Sequence, residues 1–312
     1  MKKRDYLTGF ELAADETRNL LGHALSGKST PSNYWNTLLL AGKSFALLFE
    51  KHSTRTRVSF EVGIAQLGGN AIFLAPGNTH LDREETLSDS AKVLSQYVDG
   101  IILRTFGHER AEQLAENSAV PVINGLSDLH HPCQALADFL TLQERFGTLK
   151  DLKLSYLGDG NNVLHSLLLV GALIGINISA ACPSEYMPHP GIVAQAKKLA
   201  AASNADIRIT EDVKEVCEGA HALYTDVWTS MGQEGQKETR HKLLSPYRIH
   251  GDLFHWTDKQ AIFMHCLPAH RGEEVTEEVI DGPRSVVFQQ AGNRLYAQKA
   301  LLKMIFGGSN GQ

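Results

Sequence analysis

The sequence predicts an α/β protein with two lobes, each a parallel β-sheet flanked by helices. The length of 312 residues corresponds to about two domains of roughly 150 residues. Short apolar runs of strand-forming residues alternate with segments of helical periodicity, which is typical of βαβ units. This alternation begins again after Phe146–Asp151, so we expect the seam between the lobes at that point.

In the first lobe, predicted strands are each followed by a predicted helix. A preceding helix is expected to begin near Phe10, because Thr8 and Glu11 have the spacing of a capping box. Gly68-Gly69 and Gly147 mark helix ends, since glycine is common just beyond a helix C-terminus. The strands are Ser44–Phe49, Asn70–Leu74, Gly100–Leu103 and Pro121–Asn124, and the helices are Thr54–Leu67, Thr86–Tyr97, His108–Glu116 and His131–Phe146.

The second lobe is predicted to repeat this pattern. The stretch Thr229–Arg240 is polar and contains glycine, which favours a mobile loop. We expect domains of residues 1–147 and 148–291, with a C-terminal helix within residues 292–312 that packs back on the first. The strands are Leu152–Leu157, Asn177–Ala181, Asp206–Ile209, Ala222–Thr225, Ala261–His265 and Ser285–Phe288, and the helices are Asn162–Leu173, Gly191–Ala202 and Asn293–Phe306.

Composition and charge exclude several classes of protein. A hydrophobic fraction of 43% and a charged fraction of 21% are ordinary for a globular protein and argue against disorder, collagen and coiled coil. A formal net charge of −5 argues against a general nucleic-acid binder, because such proteins are usually basic. Acidic residues interrupt any signal-peptide core near the N-terminus, and the longest apolar run, Leu167–Ile176, is too short to cross a bilayer. We therefore expect a cytoplasmic protein without membrane or nucleic-acid partners.

The cysteines give no sign of a disulfide framework or a zinc ribbon. They lie far apart and form no CxxC pair, so reduced thiols of a cytosolic enzyme fit better. His130, His131 and Cys133 match no common zinc spacing, and we expect no metal there. The cysteines are Cys133, Cys182, Cys217 and Cys266.

The residues after the first lobe's strands favour a phosphate site, since ligands of open α/β sheets bind beyond the carboxyl ends of strands. Ser53-Thr54-Arg55-Thr56-Arg57 begins a helix, where N–H groups, the helix dipole and a guanidinium suit a phosphate. The alternative is an ordinary Ser/Thr cap with solvated arginines. Arg104 also follows a strand, and His131-Pro132-Cys133-Gln134 opens a helix. Taken alone, these two features are more simply explained by a salt bridge and by proline at a helix start.

Different chemistry follows the strands of the second lobe. Gly158-Asp159-Gly160 lacks the spacing of a dinucleotide-binding turn. Asp226 and His265-Cys266 follow later strands, although a lone Cys or His at such a place is usually a packed core residue. Arg294 is expected at the start of the last helix, where the dipole disfavours a cation, so its position hints at an anionic ligand.

These residues together indicate an anionic substrate on the first lobe and an amine-bearing substrate on the second. The prediction is a two-substrate transferase with a phosphate-bearing donor and its active site in the cleft between the lobes; the transferred group stays open. The cationic and hydroxyl residues are Ser53, Thr54, Arg55, Arg104 and His131, and those of the second lobe are Asn162, Asp226, Ser230 and Cys266.

Four motifs occur in one order along nearly the whole chain. They are Ser53-Thr54-Arg55-Thr56-Arg57, His131-Pro132-Cys133-Gln134, Asp226-Val227-Trp228-Thr229-Ser230-Met231-Gly232 and His265-Cys266-Leu267-Pro268. In this combination the chain resembles the aspartate/ornithine carbamoyltransferase family. The last two motifs are similar to the ornithine branch, and the aspartate branch differs at both.

The resemblance implies transfer of the carbamoyl group of carbamoyl phosphate to the δ-amine of L-ornithine, giving L-citrulline and phosphate, without metal or organic cofactor. It implies a carbamoyl-phosphate-binding domain in residues 1–147 with 292–312, and an ornithine-binding domain in 148–291. The implied catalytic residues are Arg104, His131 and Cys266. The implied carbamoyl-phosphate ligands are Ser53, Thr54, Arg55, Thr56, His80, Arg104, His131, Pro132, Cys133, Gln134, Cys266, Leu267 and Arg294, and the implied ornithine ligands are Asn162, Asp226, Ser230 and Met231.

The resemblance also implies a homotrimer, or a multiple of trimers, in which His80 reaches the site of a neighbouring subunit. Three alternatives remain open. Another amine, such as putrescine or an acylated ornithine, could be the acceptor, although the intact Ser230-Met231-Gly232 favours free ornithine. The chain could be a catalytically silent binding or regulatory homologue. An NAD-dependent dehydrogenase would require nucleotide binding at Gly158–Asn162.

Overall fold

The computed structural model describes residues 3–30, 35, 38–77, 85–229 and 234–307. The chain divides into two compact units. Unit 1 comprises the chain up to Leu140 and again from Gly292, and unit 2 comprises Thr141–Ala291. The first division falls inside the helix Pro132–Phe146, and the second falls inside the last helix, Val287–Phe306.

Unit 1 is built on a parallel sheet with the strand order β2-β1-β3-β4. Strands β1 and β3 are almost wholly buried, as expected for parallel strands covered on both faces, whereas the edge strand β2 is partly exposed. The strands are β1 (Ser44–Phe49), β2 (Asn70–Leu74), β3 (Gly100–Arg104) and β4 (Val122–Leu126), and the helices are α1 (Ala14–Ser29), α2 (Thr54–Gln66), α3 (Leu87–Leu94), α4 (His108–Asn117) and α5 (Pro132–Phe146).

Unit 2 is built on a second parallel sheet, with the order β7-β6-β5-β8-β9. The predicted fold class of two parallel sheets flanked by helices is confirmed. The strands are β5 (Lys153–Leu157), β6 (Asn177–Ala181), β7 (Ile207–Thr210), β8 (Ala222–Thr225) and β9 (Ile262–His265), and the helices are α6 (Asn162–Ile174), α7 (Pro190–Ser203), α8 (Val213–Cys217), α9 (Lys237–Leu244) and α10 (Glu277–Ile280). The last helix, α11 (Val287–Phe306), begins in unit 2 and continues in unit 1.

Helix α6 is apolar along most of its length and almost entirely buried in unit 2. Its N-cap is Asn161, and Gly175 ends it in the left-handed conformation, with φ of 85°, which glycine adopts without steric cost. In the part of the chain that the structure describes, no helix combines the length and apolar character needed to cross a membrane.

The helix predicted near Phe10 is wrong at its start, because α1 begins at Ala14. Thr8 and Glu11 do interact: the Glu11 carboxylate accepts the Thr8 N–H at 2.7 Å. That contact closes a turn before the helix. The capping carboxylate belongs to Glu16, which accepts the Ala13 N–H at 2.8 Å and is also paired with Arg4.

The strand predicted at Ser285–Phe288 is also wrong. Only one isolated bridge, between Phe263 and Ser285, extends the sheet there, and α11 already begins at Val287. As a result, Arg294 lies well inside α11 and not at its start. Because the helix dipole acts within the first turn, the position of Arg294 in α11 gives no indication of an anionic ligand.

Both sheets reverse their strand order beside the first strand of the unit. Strand β1 lies between β2 and β3, and β5 lies between β6 and β8. In open α/β sheets, the carboxyl ends of the strands at such a reversal form the usual ligand-binding crevice. The topology therefore selects the residues after β1 and β3 in unit 1, and those after β5 and β8 in unit 2.

Candidate active site

The N-terminus of α2 follows β1 at the reversal point of unit 1. Ser53 is the N-cap, and its hydroxyl oxygen accepts the Thr56 N–H at 3.2 Å. Thr54 and Arg55 are exposed, whereas Thr56 is buried. The capping and phosphate interpretations are compatible, because capping leaves the Ser53 O–H available and the helix N-terminus still presents its positive end.

Arg104 ends β3 and is a buried cation without a carboxylate partner among the described residues. It is 8% exposed, and its Nε has no hydrogen-bond partner there. Burial, together with the nearby charges of Arg294 and Arg55, lowers the pKa of Arg104 to about 10. A buried guanidinium beside two others is unfavourable unless an anion joins them. This arrangement indicates an anion-binding site.

His131 lies just before α5 and is buried. Burial holds its pKa well below the ordinary value of 6.5, and the positive charges of Arg294, Arg104 and Arg55 act in the same direction. The imidazole is therefore neutral near pH 7. It can donate a hydrogen bond to a carbonyl oxygen without adding charge to the cluster.

Arg294 reaches from α11 to two other elements of unit 1. Its Nη1 donates to Gln134 Oε1 at 2.7 Å, and its Nη2 donates to Thr56 Oγ1 at 3.3 Å. The Gln134 Nε2 in turn donates to Asp138 Oδ1 at 2.8 Å. Gln134 therefore has partners for both ends of its amide. Its role toward a carbamoyl amino group stays a prediction.

The other two residues of the second motif are fully packed. Pro132 begins α5. The N–H of a first helical residue has no partner within the helix, so proline loses no hydrogen bond at this position. Cys133 is completely buried, and its thiol donates to the Asn124 carbonyl at 3.4 Å. Burial raises the pKa of Cys133 to about 12, so this thiol is protonated and unreactive near neutral pH.

In unit 2, the turn after β5 carries Asn161, a residue that the sequence analysis did not single out. Asn161 Oδ1 accepts the N–H groups of Val163 and Leu164 at 3.0 and 3.2 Å, and its Nδ2 donates to Asp226 Oδ2 at 2.7 Å. An asparagine just before an apolar helix is a strong N-cap signal that could have identified it. The predicted ligand Asn162 is the half-buried first residue of α6.

Asp226 follows β8 and is the centre of the polar cluster in unit 2. Its Oδ1 accepts the Val227 N–H and the Cys266 thiol, each at 2.8 Å. The carboxylate is 6% exposed, and Cys266 is half-buried. The structure thus brings the predicted residues Asp226 and Cys266 into direct contact, although 40 positions separate them in the chain. A carboxylate beside a thiol can bind an ammonium group or accept a proton from it.

The turn after β9 is held by His265, which is completely buried. Its Nδ1 accepts the Leu267 N–H at 2.8 Å, and its Nε2 lies 3.2 Å from Glu274 Oε1. Leu267 has φ of 58°, a left-handed conformation that costs a branched residue about 1 kcal/mol or more. Such strain is maintained where the backbone must present particular groups, which agrees with a functional role for the Cys266-Leu267 turn.

A buried ion pair that no local signal predicts stabilises the same region. Arg240, on α9, donates through Nη2 to Asp159 and through Nε to the Trp228 carbonyl. Its guanidinium also lies over the Tyr186 ring, 4.2 Å from the centroid. Burial raises the pKa of Asp159 to about 6, while Arg240 opposes the rise. The pair ties together the two loops that carry Asn161 and Asp226.

The glycine turn after β5 is packed within unit 2. The Gly160 N–H donates to the Tyr186 carbonyl at 2.8 Å. A Cβ at Gly160 would lie 2.2 Å from the Pro188 nitrogen, so only glycine fits against this backbone. The Gly160 N–H and the Asp159 carboxylate are therefore both occupied within the unit. Neither is available to a dinucleotide.

Two groups of side chains in unit 2 have donors suited to a metal ion. They are Asp226, His265 and Cys266, and His270, Glu273 and Glu274; in each group the candidate ligand atoms lie within 4.8 Å of one another. In the first group, both ring nitrogens of His265 already have partners.

Three predicted site residues, His80, Ser230 and Met231, lie outside the described residues.

Family models match both halves of the chain. Residues 4–144 match the carbamoyl-P binding domain of aspartate/ornithine carbamoyltransferase, and residues 150–305 match its Asp/Orn binding domain. The ornithine carbamoyltransferase of Bacillus thuringiensis subsp. konkukian is 50% identical over 306 residues, covering 98% of this chain and 95% of that protein. That of Anoxybacillus flavithermus is 50% identical over 302 residues, covering 97% and 96%.

Solved structures agree with these relatives. The ornithine carbamoyltransferase of Pyrococcus furiosus superposes with a TM-score of 0.94 at 47% identity, covering 98% of this chain and 97% of that one. The enzyme of Gloeobacter violaceus superposes with a TM-score of 0.87 at 44% identity, covering 98% and 99%. The resemblance inferred from the four motifs is thereby confirmed, and the chain belongs to the aspartate/ornithine carbamoyltransferase family.

Proposed function

We propose that the protein has ornithine carbamoyltransferase activity, transferring the carbamoyl group of carbamoyl phosphate to the δ-amine of L-ornithine. The observation that carries the proposal is that a buried cation in one unit and a buried carboxylate in the other lie where each sheet reverses its strand order. In unit 1 the buried cation Arg104 lies near Arg55 and Arg294, and in unit 2 the buried carboxylate of Asp226 contacts a thiol. These two centres suit an anionic donor and a cationic acceptor, respectively. The names of the relatives supply the identity of the two substrates.

On the donor side, Ser53, Thr54, Arg55 and Thr56 bind the phosphate of carbamoyl phosphate at the α2 N-terminus. Arg104 and the neutral His131 donate hydrogen bonds to the carbonyl oxygen. As the amine attacks, negative charge develops on this oxygen, and donors already in place stabilise it by several kcal/mol in typical cases. Arg104 supplies a charged hydrogen-bond donor and His131 a neutral one, and this step requires no metal.

On the acceptor side, Asp226 binds the ornithine ammonium group, and Asn162, Ser230 and Met231 complete the amino-acid site. The δ-amine must be neutral to attack. With a reference pKa near 10.4, only about one amine in 10³ is neutral near pH 7.4. The new C–N bond forms, the bond between carbon and the phosphate oxygen breaks, and the amine proton leaves toward the Cys266–Asp226 pair or the departing phosphate.

We also propose a cytoplasmic homotrimer, or a multiple of trimers, in which His80 reaches a neighbouring subunit's site. Apolar side chains exposed on α2 and on the edge strand β2 support an association surface; Val58 is 48% exposed and Ile72 is 43% exposed. Sedimentation equilibrium tests the assembly. A monomer at micromolar concentration would contradict it.

The activity is tested by incubating the purified protein with carbamoyl phosphate and a panel of amines, with detection of the ureido product. L-ornithine should yield citrulline, while putrescine, an acylated ornithine and L-aspartate should yield little product. A faster reaction with one of these amines would reassign the acceptor. Binding of both substrates without any product would identify a silent homologue, and NADH titration separately tests the dehydrogenase alternative.

A further inference from the structure

Two histidines and two glutamates of unit 2, none of them assigned to either substrate, lie close together. His241 lies on α9, and His270, Glu273 and Glu274 lie in the segment that follows β9. Candidate ligand atoms of the last three lie within 4.8 Å of one another. His241 Nε2 lies 2.7 Å from Glu273 Oε2, which brings a second imidazole to the same cluster.

Glu274 is the most informative member of this cluster, because it is completely buried. Its Oε1 accepts a hydrogen bond from the backbone N–H of His270 at 2.5 Å and lies 3.2 Å from His265 Nε2. Its Oε2 has no hydrogen-bond partner among the described residues and lies 3.7 Å from His270 Nδ1. A buried carboxylate oxygen without a partner is unfavourable, so its environment calls for a cation at Oε2.

We propose that His241, His270, Glu273 and Glu274 form a binding site for a divalent transition-metal ion such as Zn²⁺. Imidazole and carboxylate ligands suit Zn²⁺ and its first-row neighbours. Ligand bonds of about 2.1 Å in a tetrahedron place the donor atoms roughly 3.4 Å apart. The donor separations of 2.7 and 3.7 Å bracket this value, so small side-chain rotations complete the site.

The surroundings preorganise this site and leave it accessible. The Oε1 contacts fix the Glu274 carboxylate, and the His241 ring packs edge-on against the Trp228 ring at 5.3 Å. The His270 side chain is 50% exposed and provides the entry path. Lys237 pairs with Glu273 at 3.2 Å and is itself exposed, so an arriving metal ion can displace it.

A bound ion would link α9 to the segment after β9. Arg240, the neighbour of His241, holds the loops that carry Asn161 and Asp226, so metal binding should stabilise the same part of unit 2 against unfolding. Anything that binds the folded state and not the unfolded state raises the unfolding midpoint.

The test uses Co²⁺ as a spectroscopic probe, with the full chain carrying Cys266→Ser. This background removes the Asp226–His265–Cys266 group as a competing thiolate site. Into it we place His270→Gln and Glu273→Gln, with His250→Gln as the matched control. His250 is a partly exposed histidine of unit 2 that lies 3.8 Å from the Asp252 carboxylate, outside the proposed site.

We expect the Cys266→Ser protein to bind one Co²⁺ with a nitrogen–oxygen spectrum and a raised unfolding midpoint. His270→Gln and Glu273→Gln should each weaken binding by at least about tenfold, since loss of a residue that merely supports a ligand already costs roughly 10–100-fold. His250→Gln should bind as the background does. Absence of Co²⁺ binding to the Cys266→Ser protein, or equal affinity in all the variants, would overturn the proposal.

Discussion

The two units place opposite charges at matching points of their sheets, but they satisfy these charges in different ways. In unit 1, β3 ends in Arg104, a buried cation whose neighbours include two further arginines and no carboxylate partner among the described residues. In unit 2, β8 leads into Asp226, whose carboxylate accepts hydrogen bonds from Asn161, Val227 and Cys266.

This difference identifies unit 1 as the unit in which an anionic ligand would relieve an unfavourable buried charge. A buried charge that has partners in its own chain is at least partly compensated before any ligand arrives, as the carboxylates of Asp226 and Asp159 are in unit 2. A buried charge that is surrounded by like charges opposes folding until a ligand arrives. Unit 1 is therefore organised for its ligand at the expense of its own stability, whereas the carboxylates of Asp226 and Asp159 in unit 2 have partners within the unit.

The largest effect is expected from Arg240→Met, which would leave the buried Asp159 carboxylate uncompensated. Breaking a buried ion pair by removing one partner typically costs about 3–5 kcal/mol of unfolding free energy. Chemical denaturation measures the loss. The matched control is Arg271→Met, because Arg271 pairs with Asp281 at 2.7 Å on the surface, where solvent screens the pair and its contribution to stability is small. Equal losses in the two variants would contradict the contrast.

The pH dependence of the Arg240→Met loss provides a second check. The pKa of Asp159 is raised to about 6, so the folded protein carries this carboxylate ionised near pH 8 and largely protonated near pH 5. A protonated Asp159 no longer needs Arg240. Without Arg240 the pKa of Asp159 is higher still, so the loss of stability should be greatest at the higher pH and shrink as pH falls toward about 6. A loss that grows toward pH 5 would show that Asp159 is not the relevant partner.

Arg104→Met should separate activity from stability in unit 1. Removing a donor to the developing oxyanion typically lowers kcat by about 10²–10³. The same change removes a buried guanidinium. Its pKa is lowered from 12.5 to about 10, which corresponds to roughly 3 kcal/mol by which its surroundings disfavour the charged form. The variant should thus be nearly inactive and at least as stable as the parent without ligand. A clear loss of stability would contradict the idea that unit 1 is strained by its own charges.

Asp226→Asn should affect the acceptor and spare the donor. A hydrogen bond to a charged group contributes about 1.5–3 kcal/mol, so the KM for ornithine should rise by roughly 10- to 100-fold. Steady-state kinetics with each substrate varied in turn measures both values. If the KM for carbamoyl phosphate rises instead, the assignment of the two units to the two substrates is reversed.

Arg55→Ala should have the smallest effect, because Arg55 is exposed and its interaction with phosphate is partly screened. Carbamoyl-phosphate affinity, measured by calorimetry, should fall by about tenfold, at the lower end for a charged hydrogen bond. Arg57→Ala is the control on the same helix, since Arg57 pairs with Glu61 at 2.9 Å and covers the Phe73 ring. An equal decrease in both variants would remove Arg55 from the donor site.

The start of α1 and the segment Ser285–Phe288 differ from their predicted structures for one physical reason. Thr8 and Glu11 have the capping spacing and do hydrogen-bond, but the helix begins later because Glu16 is held by Arg4 and by Ala13. Ser285–Phe288 has the composition of a strand, but only one residue reaches the sheet before α11 begins. In both cases a local pattern was compatible with two structures, and contacts with distant residues selected one.

The sequence by itself determined the parallel sheets, most element positions, and the strand ends at which polar residues collect. Apolar periodicity, capping residues and glycine stops act over a few residues, so they can be identified directly. Only the tertiary structure decided which of these residues meet. Arg294 joins Gln134 across 160 positions, and Arg240 joins Asp159 across 81. It also decided that Arg104 is buried without a carboxylate partner among the described residues and that His131 is neutral. Burial and pairing depend on side chains brought together by folding, and no local stretch of sequence encodes them.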